Sequence, residues 1–503
     1  MLEKYKYNNV KTHYWIIVVL ISLFVLLNVA TSAIRIGYKF EIDYNEGFNV
    51  YTSIKAASGK NLYDSKENEW TPNNYPPISF YVVGFISKIL GHPLIIGRTT
   101  SLISLLFIAI CVGIVVTKLG GTAYDAVFSG VFCLGLFTTY ANHIVGMNDP
   151  QMLGQLFSMI GLMIYLSNRS NNINLFFAAF FFCLGFFTKH NLVAIPAAVI
   201  IDIMLRSRKD LIIVLSYVSF ISLCSILLIM HMSGSNFINE VFLVETSRIY
   251  SIRRLIDRTM NLGHDLQIPL IAILPVIIIS FKQKPLRIIS FYFAVSFALG
   301  MYFSGGSGTD INMFFDVFLS IAIASGINIL FFRNHLLGKF KYSRFVYCII
   351  PVILSIGIMM KLPNYGFTIN KYFTFINKEN IFLEDAAFIE SQPGSAICES
   401  NLMCYFGGKK FEYDPFPVQQ ALLAGKYDER KIIKRLESGD IRVVQLKNNT
   451  DYISSTTINN EAIRIKGRFT ENILNTIRKN YLLVRKTENG MFYIFQNRDI
   501  GLY

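Results

Sequence analysis

The sequence predicts an α-helical polytopic membrane protein with a small α/β region on the external side. Three observations carry that expectation. Of 503 residues, 53% are hydrophobic and 16% charged, where a soluble chain carries roughly a quarter charged residues. The apolar residues gather into runs of roughly twenty, the length that crosses a hydrocarbon core. After residue 361 the long apolar runs stop. Cationic residues fall on alternate links between runs, as the positive-inside rule requires. They are Lys4, Lys6, Lys11, Lys118, Arg169, Arg206, Arg208, Lys209, Lys282, Lys284, Arg287, Arg333, Lys339, Lys341 and Arg344. This placement accounts for much of the net charge of +14 without a nucleic-acid partner.

The first run, 15–36, is longer than a signal-peptide core. It ends in a small-residue stretch, Ala30 to Ala33, that resembles a cleavage site, but further spans follow and a retained span is expected. About ten more runs have spanning character: 99–117, 123–142, 151–167, 173–188, 191–205, 211–231, 268–281, 287–303, 311–332 and 345–361. The 268–281 run is short and is expected to tilt or re-enter. With the N-terminus inside, residues 37–98 form the first external loop and 362–503 lie outside. Within that loop, Glu46 to Ser58 reads as a helix. Tyr75-Pro76-Pro77 opens a second one, because proline is tolerated in a first helical turn. Residues 1–361 thus form the membrane region of a multi-pass protein of the inner (plasma) membrane. The tail mixes strand-like pieces (395–399, 441–446, 481–484, 491–495) with helical ones (384–390, 429–437, 468–480).

Cys111, Cys133, Cys183, Cys224 and Cys348 lie in apolar runs and read as small core residues. Cys398 and Cys404 fall in the external tail, where a disulfide is chemically permitted. Spacing alone does not show it. No Cys/His cluster has metal-ligand spacing. No cofactor is expected, and a divalent metal is left open.

Chemistry is expected where carboxylates meet lipid, since a charge that cannot reach water is costly there. Asp43 and Glu46 lie three apart just after the first run, close enough to share a helix face or a turn. A carboxylate with a raised pKa accepts a proton from a hydroxyl, as a general base does; two solvated headgroup carboxylates are the plain alternative. Asp149, between Asn148 and Pro150, reads equally as a helix cap and as a cavity carboxylate. Lys189 and His190 sit at a tight link. Arg248, Arg253, Arg254 and Arg258 crowd one external loop, where guanidinium groups suit a phosphate. Ser304 to Asn312 is glycine-rich and leads into a span, so its amides are candidates to hold an anion. Asp310 and Asn312 are its polar members. No P-loop or dinucleotide-binding pattern appears.

These residues resemble the GT-C superfamily of membrane glycosyltransferases, in the branch of protein O-mannosyltransferases and lipid A aminoarabinose transferases. The resemblance rests on Asp43-Tyr44-Asn45-Glu46-Gly47, Tyr75-Pro76-Pro77, Asn148-Asp149 and Thr188-Lys189, and covers roughly the first 330 residues. It implies catalysis by Asp43 with Glu46 as neighbouring carboxylate. It also implies a sugar donor on a polyprenyl phosphate, used at the external face without a nucleotide. The acceptor would be an envelope lipopolysaccharide, polysaccharide or protein, with membrane lipids around the chain. The family pattern has a second charged residue before Asp149, where this chain has Asn148. The tail, with Cys398-Glu399-Ser400 and Gly408 to Asp414, resembles that of uncharacterised bacterial members and implies no substrate. Two other classes remain: a transporter or flippase of lipid-linked sugars, and a non-catalytic polysaccharide-assembly protein. Transporters favour midplane charges and repeated halves; here the carboxylates lie at the rim and no repeat is visible.

Overall fold

The computed structural model describes residues 2–64, 69–243, 249–336, 343–361, 369–448, 453–458, 461–466 and 468–496. Arg248, Lys339 and Lys341 fall outside them. Each predicted apolar run lies on a helix. The chain opens with α1 (Leu2–Arg35), then two shorter helices of the first loop, α2 (Asn45–Ala57) and α3 (Ile78–Leu90). The bundle continues through α4 (Pro93–Lys118), α5 (Ala123–Tyr140), α6 (Gln151–Ser167), α7 (Asn172–Thr188), α8 (Ala194–Met204) and α9 (Arg208–Ser233). It is completed by α10 (Ile252–Asp265), α11 (Gln267–Lys282), α12 (Arg287–Ser304), α13 (Phe315–Leu336) and α14 (Ser343–Lys361).

Five stretches among the described residues are long and apolar enough to cross a membrane unaided: Thr12–Arg35, Pro93–Lys118, Arg208–Ser233, Arg287–Ser304 and Ile311–Asn334. The 268–281 run is α11, which meets α10 at a bend of 87°.

Local signals set several boundaries. Pro93 starts α4 behind His92, whose side chain accepts from Leu94 N. Thr122 and Asp125 form a capping box on α5, and Arg333 of α13 reaches Asp125 at 2.9 Å. Asn171 and Ser207 cap α7 and α9. The bundle core packs Phe132, Leu136 and Phe137 of α5 against Phe315 and Phe318 of α13.

After α14 the chain forms α15 (Ile369–Ser391), β1 (Ser395–Cys398), α16 (Asn401–Phe406), α17 (Pro415–Leu423), α18 (Glu429–Glu437) and β2 (Ile441–Leu446). It ends with β3 (Ile453–Ile458), β4 (Glu461–Lys466), β5 (Phe469–Thr470), α19 (Glu471–Asn480), β6 (Tyr481–Thr487) and β7 (Gly490–Phe495). A four-stranded sheet runs in the order β1-β2-β7-β6, with β1 parallel to β2 and the other pairs antiparallel. A smaller sheet runs β3-β4-β5. Cys398 and Cys404 form a disulfide.

The tail does not stand apart from the first loop. Trp70 of that loop is buried in the tail's core with Tyr413, Ile432, Leu436 and Ile473, and Asp414 N donates to Trp70 O at 2.7 Å. Gly47 on α2 lets the backbone of α16 approach so closely that a Cβ there would clash with Leu402 N and Asn401. Gly47→Ala is therefore expected to push α16 off α2 at a cost of about 1–3 kcal/mol. A lower midpoint of heat-induced unfolding in detergent would register it; an unchanged midpoint would mean that α16 moves without cost.

Candidate active site

The loop between α1 and α2 is built around one buried ion pair. Glu46 and Arg98 have fully buried side chains, and Arg98 Nη2 lies 2.6 Å from Glu46 Oε2. Arg98 Nε donates to Glu46 Oε1 at 2.7 Å, and Arg98 Nη1 and Nη2 donate to Tyr38 O at 2.5 Å and Phe40 O at 2.6 Å. Glu46 also accepts from Ile42 N at 2.8 Å and Asn148 N at 3.0 Å. One pair thus ties the loop to α4 and to the segment before α6. Both charges are thus hydrogen-bonded on several sides, the condition under which a buried charge pair is tolerated.

This clamp leaves Asp43 at the wall of a cavity of about 650 Å³. Asn45 N donates to Asp43 Oδ1 at 3.1 Å. Burial pushes the Asp43 carboxyl up to about 6, against the opposing Asn45 hydrogen bond and the Arg468 and Lys447 charges; Glu41 adds to the rise. A carboxyl poised there is mostly ionised at neutral pH and suited to take a proton.

Across the cavity wall, Asp149 Oδ1 accepts from Gln151 N at 2.7 Å and from Lys189 Nζ at 2.8 Å. Both side chains are buried. The capping and the cavity roles of Asp149 coexist, because one carboxylate has room for both bonds. Lys189 Nζ also sits 5.1 Å from the centre of the Tyr75 ring, a cation–π distance. At the rim, His143 Nε2 and Asp310 Oδ2 are 3.0 Å apart, both side chains more than half exposed. Burial alone would raise the Asp310 pKa. The His143 and Ile311 N–H hydrogen bonds, with the His143 and Arg258 charges, outweigh it and hold the carboxyl below its ordinary value. His190 and Asn312 also line the cavity.

The tail supplies the remaining cation. Arg468 lines the same cavity, and its guanidinium carbon stands 3.8 Å from the centre of the Tyr44 ring. Phe416 of α17 packs on the same Tyr44 ring, ring centres 5.6 Å apart. Among the described residues no carboxylate forms a salt bridge with Arg468, whereas Lys189 is paired with Asp149. Among the same residues no three His, Cys, Asp or Glu side chains cluster to hold a metal ion.

This architecture has relatives of known structure. The chain superimposes on the crystal structure of ArnT from Cupriavidus metallidurans bound to undecaprenyl phosphate with a TM-score of 0.62 at 11% identity, over 97% of this chain and 99% of that one. It superimposes on the archaeal oligosaccharyltransferase AglB from Archaeoglobus fulgidus, in complex with an inhibitory peptide and a dolichol-phosphate, with a TM-score of 0.55 at 10% identity, over 95% of this chain and 75% of that one. The chain has the GT-C fold. No protein-family profile and no curated protein matches its sequence.

Seven sequence-predicted residues meet at this cavity: Asp43, Tyr75, Asp149, Lys189, His190, Asp310 and Asn312. Three do not. Glu46 is turned into the Arg98 clamp, so it shapes the loop and has no open face toward a substrate. Arg253 is 92% exposed on α10 beside Asp257, away from the cavity wall. Arg254 Nη1 is spent on the carbonyls of Gly305 at 3.2 Å and Ile249 at 3.5 Å. With Arg258, which bonds Thr309, it braces the glycine-rich loop instead of reaching the cavity. Two of that loop's amides are already taken: Ser307 N donates to Ile249 O and Gly306 N to Phe303 O. Arg468, His143 and Tyr44 were missed. Tyr44 lay inside the quoted motif, but nothing local to Arg468 marks it, because its partners are distant in sequence.

Proposed function

We propose that this chain is a glycosyltransferase that moves a sugar from a polyprenyl-phosphate donor to a cell-envelope acceptor at the external membrane face. The observation that carries the reading is the pairing, in one large cavity, of the half-buried Asp43 carboxyl, raised to about 6, with the Arg468 guanidinium, which forms no salt bridge among the described residues. The likeness to two structures that hold polyprenyl-type phosphates supports it.

The chemistry follows from these groups. Asp43 accepts the proton of an acceptor hydroxyl, whose oxygen attacks the anomeric carbon. The bond from that carbon to the phosphate oxygen breaks, and the phosphate leaves with the bonding pair. Arg468 stabilises the charge developing there, as preorganised cations do. Lys189, paired with Asp149 and beside the Tyr75 ring, lines the same cavity and keeps that carboxylate in place. One base suffices for a single displacement with inversion. The apolar share of the cavity wall, including Ile144, Met147, Phe186 and Phe242, suits the isoprenoid end of such a donor.

In this reading all the predicted apolar runs cross the membrane, the N-terminus is inside, and the tail lies outside as an extracytoplasmic α/β domain. Reporter fusions at Asn480 test that arrangement; a cytoplasmic signal would overturn it. The assay for the function is transfer of radiolabelled sugar from polyprenyl phosphate to envelope material in membranes. Arg468→Gln is expected to raise the KM for the donor roughly tenfold or more, the worth of one hydrogen bond to a charged group. Arg468→Lys should recover part of it. A donor KM unchanged by Arg468→Gln would remove this residue from phosphate binding.

A further inference from the structure

The surface of α10 is divided into three arcs, each about 80° wide at the ~100° that an α-helix turns per residue. One arc packs on the protein. Arg254 Nη1 reaches Gly305 O at 3.2 Å and Arg258 bonds Thr309. Leu262 is buried, and Asp265 Oδ1 lies 2.6 Å from Lys361 Nζ of α14. Gly306, Gly308 and Thr309 of the loop held by this arc line the main cavity.

The rest of the helix is exposed, and its exposed side is sorted by polarity. Ile252, Ile256 and Met260 recur every fourth residue and are 70%, 47% and 68% exposed. Gly263 falls in the same arc and faces open space. The adjoining arc carries Arg253, Asp257, Asn261 and His264, all exposed. A helix surrounded by water gains nothing from such sorting. One lying at the boundary of two solvents places each arc in its own medium.

The neighbouring helix says what the apolar medium is. After Leu266 the chain bends by 87° into α11, whose exposed Ile271, Leu274 and Ile278 suit acyl chains. A helix perpendicular to one that runs into a bilayer lies along the bilayer surface. A protein partner fits less well, since three side chains offer far less than the ~800 Å² each side contributes to a stable protein interface.

We propose that α10 lies in the plane of the membrane surface, with Ile252, Ile256 and Met260 in the acyl boundary, and moors the rim of the main cavity to the lipid. The polar arc stays in headgroup water. The packed arc carries the grip to the glycine-rich loop through Arg254 and Arg258. The inference uses neither Asp43 nor Arg468, so it stands or falls apart from the glycosyltransferase reading.

The test uses the full chain in phosphatidylcholine nanodiscs, with Cys224 and Cys348 replaced by Ser. Single cysteines introduced by Met260→Cys or Asn261→Cys carry an environment-sensitive fluorophore. The label at 260 should lose fluorescence to lipids bearing a doxyl group near the headgroup and resist aqueous iodide. The label at 261 should show the reverse. Iodide quenching at 260 equal to that at 261 would overturn the proposal and put the stripe in water. Protection of 260 from both quenchers would overturn it in favour of a protein partner, a second copy included. Stronger quenching at 260 by a doxyl group near the chain end would make α10 part of a span, not a surface helix. The mooring has its own readout. Ile252→Ser, Ile256→Ser and Met260→Ser together leave the packed arc untouched and should speed hydrogen exchange of the amides of residues 304–310. Exchange equal to wild type would overturn the mooring.

Discussion

Asp43→Asn is expected to abolish sugar transfer while leaving the protein folded and inserted. Asn matches Asp in shape, and Asn45 N, the donor to Asp43 Oδ1 at 3.1 Å, can keep its bond to an amide oxygen. What disappears is the carboxylate assigned to accept the proton, so transfer should fall by at least roughly 10²-fold, the low end for general-base catalysis. The pH dependence gives a second readout. Only the deprotonated carboxylate is a base, so the wild-type rate should climb with pH through a midpoint near 6, the value to which burial raises Asp43. Below that midpoint the proton stays on and the rate falls. Because Arg468 lowers the Asp43 pKa, Arg468→Gln should move the midpoint upward. Asp43→Asn should flatten this limb. Near-normal transfer by Asp43→Asn would sink the assignment and make Asp149 the first alternative base.

Glu46→Ala is expected to be the most destabilising single change near the site. It strands the Arg98 guanidinium, which is fully buried, without its counter-charge. Removing one partner of a buried pair costs about 3–5 kcal/mol. The Ile42 and Asn148 amides lose their acceptor as well, so the loop that presents Asp43 should loosen. Folded yield after detergent extraction and the midpoint of heat-induced unfolding measure it. The milder Glu46→Gln keeps the shape and an acceptor oxygen, and should fall between Glu46→Ala and wild type in stability. Its residual activity should track the folded fraction. A Glu46→Gln protein with wild-type stability and activity as low as Asp43→Asn would contradict a structural role and restore Glu46 as a catalytic group.

Asp43 and Glu46 show where reading along the chain stops. Both carboxylates stand in the same five-residue motif after the same apolar run, and local spacing treats them alike. Folding separates them. Arg98 on α4 and the amide of Asn148 claim Glu46, while Asp43 meets the cavity and a cation from the tail. The arginines of the 232–267 loop, of which Arg248 lies outside the described residues, illustrate the converse. Their charge suggested a phosphate site, yet the 87° bend between α10 and α11 accompanies a helix whose Arg253 faces outward and whose Arg254 and Arg258 brace a loop.

By itself the sequence determined the helical runs, the break in composition after residue 361, most strands of the tail sheet, and the carboxylates and lysine that line the cavity. These are local properties. Length and hydropathy decide whether a run suits a bilayer, alternation marks a strand, and a charge beside lipid marks itself by its cost. Tertiary structure alone decided which carboxylate is clamped and which is open, that Arg468 of the tail stacks on Tyr44 of the first loop, and that Trp70 joins the tail's core. Each of those contacts joins residues far apart in the chain. No periodicity or spacing encodes them, because they arise only when packing brings the first loop and the tail together.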